Sequence, residues 1–406
     1  MKILQINTVC GTGSTGRITT DIYGVIKDQN HECIIAYGRN TAPHEISTIR
    51  ISSNIGVYYH ALLTRITDRT GFYSTKATKK FIRKIETYNP DIIHIHNIHG
   101  YYINLEILFE YLSKANKPVV WTLHDCWAFT GHCTYFDCAG CDKWKTKCHH
   151  CPQKRVYPKS YILDSSKYNY MQKKRLFTSV ENMTLVTPSI WLSELVEKSF
   201  LGKYAIRVIN NGIDLDIFKP TENDFRKRYN LEDKFIILGV ANVWEKRKGL
   251  ETFFELSKIL DARFKVILVG LSEKQLKKLP GNILGFKRTN TIRELAEIYT
   301  MADVYINPTT DDNFPTTNIE ALACGLPVIT YNTGGSGESV DVGCGIIVEN
   351  GNKAALKKSI ENIVENTLNK KNIISRSKML DKKEKYLEYL DIYKAVLYCK
   401  QEEIDQ

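Results

Sequence analysis

The 406-residue chain lacks any run of about 18 consecutive apolar residues, so the sequence predicts no membrane-spanning helix. Residues 1–7 become polar too early to form the apolar region of a signal peptide, which indicates a cytoplasmic protein. Glycine (24) and proline (11) are too few for a collagen-like or low-complexity chain, and 43% hydrophobic residues exclude a wholly disordered one. At ~100 to 200 residues per domain, this length predicts two or three folded domains.

Excess positive charge is confined to the first half of the chain. Residues 1–210 hold 27 Lys and Arg against 16 Asp and Glu, and the remaining residues hold 29 of each, so the whole net charge of +11 is N-terminal. Such a field attracts a phosphorylated substrate, an anionic lipid surface or a nucleic acid. Because no zinc-finger His pair, basic zipper or aromatic-studded RNA-binding strand accompanies it, we expect no nucleic acid partner.

Short Val- and Ile-rich runs alternate with longer helical patterns, which is typical of parallel sheets with crossover helices. The first series of predicted strands comprises Lys2–Asn7, Glu32–Tyr37, Asp91–His96, Val119–His124, Met183–Pro188 and Ile206–Ile209. The second series comprises Phe235–Ala241, Lys265–Gly270, Ile283–Phe286, Val304–Pro308, Pro327–Tyr331 and Ile346–Glu349. Two series predict two doubly wound α/β domains.

Domain boundaries follow from turn residues and from a final apolar stripe. Asn210–Asp214 supplies the turn between the domains, and residues 225–231 have the pattern of the first helix of the second. Apolar residues recur at helical spacing between Lys382 and Lys400. We therefore predict an N-terminal domain at 1–212, a C-terminal domain at 213–380 and a terminal helix at 381–406.

A glycine-rich turn follows the first predicted strand. Gly11–Arg17 has the spacing G-x-G-x-x-G and opens a helix, whose free N–H groups could bind a phosphate or an acceptor. The candidate residues are Gly13, Ser14, Gly16 and Arg17. A dinucleotide fold would need an acidic residue at the end of the second strand, where this chain has Tyr37-Gly38-Arg39. A purely structural tight turn stays open as an alternative.

Residues 304–338 combine a strand end, a loop rich in hydroxyl and amide groups, and a helix start near Thr317. Asp312 and Glu320 place two carboxylates there, and the helix supplies free backbone N–H groups. A carboxylate can accept hydrogen bonds from two vicinal sugar hydroxyls, and helix N-terminal amides bind phosphate. The pattern is typical of a sugar-nucleotide site.

Several motifs together resemble a known family, the retaining glycosyltransferases of family 4. They are the Gly-rich loop, the Thr122–Asp125 strand end, the Asn210–Asp214 linker, the Lys246–Leu250 turn, the Asp312/Glu320 pair and the Gly334-Gly335 loop. The likeness covers most of the chain and is greatest to transferases of bacterial capsule, exopolysaccharide and O-antigen assembly. It implies the GT-B fold, in which two Rossmann-like domains face each other across a cleft and the C-terminal helix packs back on the N-domain.

The resemblance also implies roles for individual residues. His124, Lys248 and Glu320 match catalytic positions. The implied donor-binding residues are Arg247, Lys248, Asp312, Phe314, Thr316, Thr317, Asn318 and Glu320. Two positions depart from the family pattern: Asp312 stands where Glu is usual, and Asn242 stands where an Arg is common.

The implied activity is transfer of a hexose, with retention of configuration, from a UDP- or GDP-linked sugar to a hydroxyl of a lipid-linked saccharide. No divalent metal is expected in catalysis. Two alternatives stay open: a nucleotide-sugar 2-epimerase of the same fold, and a catalytically silent subunit that binds a sugar nucleotide or polysaccharide. Asp214-x-Asp216 has the D-x-D spacing of a metal motif but lies in the linker, so we interpret it as turn chemistry.

Six of the eleven cysteines fall within residues 126–151, an insertion that follows His124. Two Cys-x2-Cys turns, at 138–141 and 148–151, favour a metal over disulfides in a cytosolic chain. We predict one structural zinc, with Cys138 as a competing fourth ligand. The predicted ligands are Cys133, Cys141, Cys148 and Cys151. Free thiols, an iron–sulfur cluster and disulfides stay open as alternatives.

A basic stripe in the N-terminal half predicts a membrane contact. Its residues are Lys76, Lys79, Lys80, Arg83 and Lys84, with Phe72, Phe81, Ile82 and Ile85 close by. On a helix the basic residues share one face, so an anionic lipid surface could bind it reversibly and with salt sensitivity. We therefore expect peripheral attachment to the inner face of the cell membrane, with a solvated basic face as the alternative.

Overall fold

Two parallel β-sheets organise the chain, which a computed structural model describes for residues 1–404, with side chains as far as Tyr398. One compact unit contains Met1–Asn210 and the chain from Lys385 onward, and the other contains Asn211–Glu384. None of the helices in this described part has the length and apolar content needed to cross a membrane.

The first unit has seven parallel strands in the order β3-β2-β1-β4-β5-β6-β7. The strands are β1 Lys2–Asn7, β2 Glu32–Tyr37, β3 Thr48–Arg50, β4 Ile92–Ile95, β5 Val119–Thr122, β6 Met183–Thr187 and β7 Ala205–Val208. The helices are α1 Gly13–Asp28, α2 Asn54–Thr67, α3 Thr75–Tyr88, α4 Leu105–Ala115, α5 Ser166–Phe177 and α6 Ile190–Glu197. The central strands β4 and β5 are wholly buried, as expected for a parallel sheet covered on both faces.

The second unit has six parallel strands in the order β10-β9-β8-β11-β12-β13. The strands are β8 Phe235–Val240, β9 Phe264–Val269, β10 Ile283–Phe286, β11 Val304–Asn307, β12 Val328–Tyr331 and β13 Gly345–Val348. The helices are α7 Phe225–Arg228, α8 Leu250–Ile259, α9 Glu273–Leu276, α10 Ile292–Met301, α11 Thr316–Ala323, α12 Lys353–Glu365 and α13 Lys370–Lys378. The terminal helix α14, Lys382–Ile404, begins in this unit and continues in the first.

The two predicted strand series are confirmed, with ends that differ by at most two residues. Strand β3 was not predicted, because three partly exposed residues at a sheet edge are too few to produce a hydrophobic pattern. The helix expected at 225–231 is a single turn, α7, which ends at Arg228.

The terminal helix α14 covers one face of the first sheet. Tyr386, Leu390 and Tyr393 are buried in one cluster with β1, β5 and β6 side chains. Tyr393 Oη lies 2.7 Å from His94 Nδ1, and Tyr389 Oη lies 3.0 Å from Thr122 Oγ1. The helix therefore packs on the N-terminal unit, as the resemblance implies, through polar contacts as well as apolar ones.

We expect Tyr393→Phe to destabilise the first unit by about 1 to 3 kcal/mol, because it leaves the buried His94 Nδ1 without this partner. Tyr398→Phe on the same helix is the matched control, because Tyr398 is 70% exposed. Urea unfolding measures the difference. Equal midpoints for the two variants would contradict the assignment.

Candidate functional site

The strand order of the second unit changes direction between β8 and β11. Strands β8, β9 and β10 run to one side, and β11, β12 and β13 run to the other. At such a switch point the loops after the two central strands diverge, and doubly wound proteins bind their ligands there. Lys248 follows β8 and Asp312 follows β11, so the topology brings these two predicted residues to one place.

Two cations and one carboxylate form a cluster at this switch point. Lys248 Nζ donates to Asp312 Oδ2 at 2.5 Å, and Arg247 Nη1 lies 3.7 Å from the same oxygen. Burial raises the pKa of the Asp312 carboxyl, but the charges of Lys248 and Arg247 outweigh burial and hold that pKa below its usual value. The ionised carboxylate thus holds both cations, whose side chains stay 21% and 28% exposed.

Two glycines let the surrounding loops approach the cluster. Gly249 has a φ of +72°, and a Cβ there would lie 2.3 Å from the Pro308 carbonyl oxygen. Gly334 has a φ of +54°, and a Cβ there would lie 1.8 Å from the Asp312 carbonyl oxygen. Gly335 N–H donates to that same oxygen at 3.2 Å. The loops after β8, β11 and β12 therefore form one packed surface.

The carboxylate of Glu320 is buried on α11. Its side chain is next to α10, where the Tyr299 hydroxyl donates to Oε2 at 2.9 Å. Only 2% of Glu320 is exposed. Glu320 is therefore inside the unit beside Tyr299, whereas Asp312, eight positions earlier, lies at the cation cluster.

The remaining predicted donor residues differ in exposure. Asn318 is fully buried, and its amide donates to Ser336 O and Ser339 Oγ, both at 3.1 Å. Asn318 is therefore a positioning residue for the turn at 336–339, and a direct contact with a donor stays a prediction. Phe314 is buried in the core. Thr316 and Thr317 form the half-buried first turn of α11, where helix N–H groups lack intrahelical partners.

In the first unit the strand order changes direction between β1 and β4, and Asn7 joins the two loops that follow them. Its amide donates to Val9 O at 2.9 Å, and its Oδ1 accepts from Asn97 N–H at 3.3 Å. Helix α1 begins at Gly13, so Gly13 and Ser14 lie exposed in its first turn, with half-buried Arg17 one turn on. Gly16 is buried against Val9, which makes it a packing residue.

His124 is buried in a chain of hydrogen bonds. His96 Nδ1 lies 3.0 Å from His124 Nε2, and His96 Nε2 lies 3.0 Å from Gln5 Oε1. Gln5 donates through Nε2 to Thr19 O, so its oxygen faces His96 and can only accept. His96 therefore carries its proton on Nε2, and His124 Nε2–H donates to His96 Nδ1. Burial lowers the pKa of His124 to about 4, so the ring is neutral with its lone pair on Nδ1.

A second histidine lies beside the insertion. His99 Nε2 is 2.9 Å from Asp125 Oδ2, and His99 Nδ1 is 3.1 Å from the Tyr157 hydroxyl. Asp125 Oδ1 also accepts from Trp127 N–H at 2.9 Å, which caps the 3₁₀ turn Cys126–Phe129. Burial raises the pKa of Asp125. The charge of His99 and its hydrogen bond act in the opposite direction, and the net shift of the pKa is downward.

Four residues of these hydrogen-bond networks were not predicted from the sequence as site residues: Gln5, Asn7, His96 and His99. A signal was present, because His94-x-His96-x2-His99 repeats one residue type at a strand end. Their function depends on partners far away in the sequence, which no local pattern reveals. Asp214 behaves as expected of turn chemistry: Oδ1 accepts from Asp216 N–H at 3.0 Å, and Lys382 pairs with Oδ2 at 2.7 Å.

The predicted zinc ligands lie together in the insertion. Cys133, Cys141, Cys148 and Cys151 line one cavity, whereas Cys138 is exposed and outside it. None of the ten described cysteines is part of a disulfide. As the side chains of the described residues stand, no group of three or more His, Cys, Asp or Glu is placed so that it could hold a metal ion.

Two family profiles together match nearly the whole chain. The one described as Glycosyltransferase Family 4 matches residues 15–217, which is half of the chain. The one described as Glycosyl transferases group 1 matches residues 221–380. The first profile ends and the second begins close to the boundary between the two units.

The chain is also similar to individual proteins, in sequence and in structure. The colanic acid biosynthesis glycosyl transferase WcaC of Escherichia coli is 25% identical over 379 residues, with 90% of each chain covered. The capsular polysaccharide biosynthesis glycosyltransferase CapM of Staphylococcus aureus is 28% identical over 38% of this chain and 44% of its own. In structure, the sucrose-phosphate synthase of Thermosynechococcus elongatus has a TM-score of 0.71 at 17% identity, covering 98% and 99% of the chains. Anabaena HepE in complex with UDP-glucose has a TM-score of 0.68 at 15% identity, covering 97% and 100%.

Proposed function

This chain belongs to glycosyltransferase family 4, and we propose that it transfers a hexose from a nucleotide diphosphate sugar to a hydroxyl of a lipid-linked saccharide. The proposal includes retention of configuration and a place in bacterial surface polysaccharide synthesis. The observation that carries it is the cluster of Lys248, Arg247 and Asp312 at the switch point of the second sheet. A diphosphate needs exposed positive charge at a ligand-binding edge, and this cluster supplies it.

Lys248 binds the diphosphate of the donor in this proposal. Its ammonium has three donors, and Asp312 occupies one of them. The other two can bind phosphate oxygens and stabilise the negative charge that develops as the nucleoside diphosphate leaves. Because Asp312 holds the ammonium in place beforehand, little reorganisation is needed during the reaction. These fixed cations are the reason we expect no divalent metal in the transfer.

Arg247 supplies the second cation in this proposal. The family commonly has an Arg at the position of Asn242, which is exposed here in the loop after β8. Arg247 lies in the same cluster as Lys248, and Nη1 also donates to Asp311 O at 2.7 Å. Lys246 in the same turn is exposed and stays outside the cluster. The neighbouring Arg therefore replaces the missing one.

The sugar and ribose hydroxyls bind to the α11 side of this site. Glu320 is the carboxylate for a hydroxyl pair, and Tyr299 fixes its orientation. The first-turn N–H groups at Thr316 and Thr317 donate to the second phosphate. The carbohydrate specificity then depends on the loops at 312–317 and 334–339.

The acceptor binds to the first unit in this proposal. Neutral His124 is the histidine that contacts the acceptor, and its hydrogen bond with His96 fixes the orientation of the ring. A ring with a pKa of about 4 is unsuited to act as a general acid near neutral pH. Gly13 and Ser14, at the exposed start of α1, bind a phosphate or hydroxyl of the acceptor.

An exposed apolar face supports a lipid-linked acceptor. Its α2 residues share one side of the helix: Ile55, Tyr58, Tyr59, Leu62 and Ile66. The segment 161–163 extends this face, because Tyr161 N–H and Leu163 N–H donate to the Arg65 and Ile66 carbonyls at the end of α2. Tyr161, Ile162 and Leu163 are all more than half exposed.

Basic residues accompany this apolar face. The stripe at 76–84 lies on α3 and is exposed throughout, whereas Phe81 and Ile85 are core residues of the unit. The apolar residues expected beside the stripe therefore pack in or against the core, and the exposed apolar side chains of this unit include those of α2 and 161–163. An apolar face together with positive charge is complementary to an anionic membrane surface.

Lys248→Met should weaken binding of the nucleoside diphosphate by about 1.5 to 3 kcal/mol, roughly 10- to 150-fold, because it removes a charge-assisted contact. Binding of the nucleoside alone should not change. Calorimetry with UDP and GDP, and with uridine and guanosine, measures both. Lys246→Met is the matched control, since it removes the same charge two residues away. A change below twofold in Lys248→Met, or an equal loss in the control, would refute the donor site.

Removal of the α3 charges should weaken binding to anionic vesicles at least tenfold, because each basic residue near the surface contributes about 1 kcal/mol at best. The variant changes Lys76, Lys79, Lys80, Arg83 and Lys84 to Gln. The matched control changes five exposed lysines of the second unit to Gln: Lys258, Lys274, Lys277, Lys278 and Lys371. Co-sedimentation at low and moderate salt measures the binding.

Wild type and control should sediment with anionic vesicles at low salt and much less at moderate salt. Replacing Ile55 and Leu62 by Ser should weaken sedimentation at both salt concentrations, because apolar contacts are not screened. No sedimentation of wild type at low salt, or equal sedimentation of wild type and the α3 variant, would exclude this surface as a membrane contact.

A further inference from the structure

The Cys-rich insertion encloses a cavity of about 10 Å³ whose wall contains four thiols, those of Cys133, Cys141, Cys148 and Cys151. A cavity of this volume can hold about one water molecule or an ion of similar size. Buried Trp144 and Phe136 stack beside it with ring centroids 5.0 Å apart, so the wall is rigid on that side. Of the six cysteines in the insertion, these four line the same cavity.

Backbone groups already bind the sulfur atoms. Gly131 N–H donates to Cys148 Sγ at 3.2 Å, and Gln153 N–H donates to Cys151. The Cys133 and Cys151 side chains hydrogen-bond each other. A Cβ at Gly131 would lie 2.7 Å from Cys148 Cβ, so glycine is needed for this approach. N–H groups directed at sulfur stabilise thiolates, which are the metal-binding form of cysteine.

A buried cation lies next to the four thiols. Lys173 is 1% exposed, and its ammonium donates to Trp127 O at 2.7 Å and Thr130 O at 3.1 Å. Burial lowers the pKa of Lys173 to about 7, and the neighbouring Cys148 and Cys133 oppose that shift. Burying an ammonium is costly unless opposite charge is near. Four thiolates around a divalent ion carry a net charge of −2, which would offset the Lys173 charge.

We propose that Cys133, Cys141, Cys148 and Cys151 bind one Zn²⁺ ion in a tetrahedral site. Four thiolates favour this soft, four-coordinate ion, at Zn–S distances of about 2.3 Å. Cys148 and Cys151 form the chelating turn, and Cys133 and Cys141 come from separate turns of the insertion. The proposal requires a change of cysteine rotamers, because the side chains as they stand do not form a metal site.

The metal organises the loop that begins at the acceptor-side residues. Cys133 follows Asp125 by eight positions, and Asp125 holds His99. The buried pair of His132 and Asp68 joins the insertion to the end of α2. A metal that ties 133 to 151 therefore fixes both the Asp125 loop and its attachment to α2. This is a structural role, and it does not depend on the proposed transfer reaction.

Elemental analysis of tag-free protein, purified under reducing conditions, should give about one equivalent of zinc. Protein loaded with Co²⁺ instead should show the intense thiolate-to-cobalt absorption of a tetrahedral sulfur site. Cys148→Ser and Cys151→Ser should each reduce the zinc content at least fivefold. Cys138→Ser is the matched control, because Cys138 belongs to the same insertion but lies outside the cavity, and it should keep its zinc.

A measurement on the wild-type protein tests the proposal without depending on whether the variants fold. Titration with a mercurial reagent should release the zinc as four thiols are modified, followed with a chromogenic chelator. Less than about 0.2 equivalents of zinc in wild type, with no cobalt–thiolate absorption, would overturn the proposal. So would iron in place of zinc, or a Cys138→Ser protein that loses as much metal as Cys148→Ser. None of these readouts depends on glycosyltransferase activity.

Discussion

The carboxylate of Asp312, held between Lys248 and Arg247, is the contact on which the proposed donor site depends. A buried ion pair contributes little net stability, because desolvation of its partners offsets their attraction. Its value here is geometric, since it fixes two partly exposed cations before any ligand arrives. That arrangement exists because β8 and β11 are neighbours, and because Gly249 and Gly334 let the adjoining backbones approach within van der Waals distance.

The first unit buries polar groups in a different way. The imidazoles of His94, His96 and His124 all have lowered pKa values, chiefly through burial, so they are neutral hydrogen-bonding groups. Gln5 on β1 settles the proton position of His96, and His94 is hydrogen-bonded to Tyr393 on α14. The His94 and His96 rings lie 4.1 Å apart, so the terminal helix and His124 belong to one packed network. The C-terminal helix is therefore part of the environment of His124, the histidine proposed to contact the acceptor.

The sheets were predictable from the sequence, and the contacts of the sites were less so. Parallel strands are buried on both faces, so each produced a continuous apolar run that could be recognised. The pairing of Lys248 with Asp312 joins residues 64 positions apart and required the strand order. The burial of Phe81 and Ile85 beneath the basic stripe matches the alternative of a solvated basic face, and a membrane contact of the stripe stays a prediction. Spacing alone could not separate Cys141, which lines the cavity, from Cys138, which is exposed.

Transfer of labelled sugar with and without an acceptor tests the central claim most directly. The protein is incubated with a labelled nucleotide sugar, alone or with a lipid extract of polysaccharide-producing cells, and both nucleoside diphosphate release and lipid-soluble label are measured. We predict that nucleoside diphosphate release requires the extract, that it equals the label transferred, and that the anomeric configuration of the sugar is unchanged. Conversion of the donor sugar at C2 without the extract, or no release with any acceptor, would contradict it.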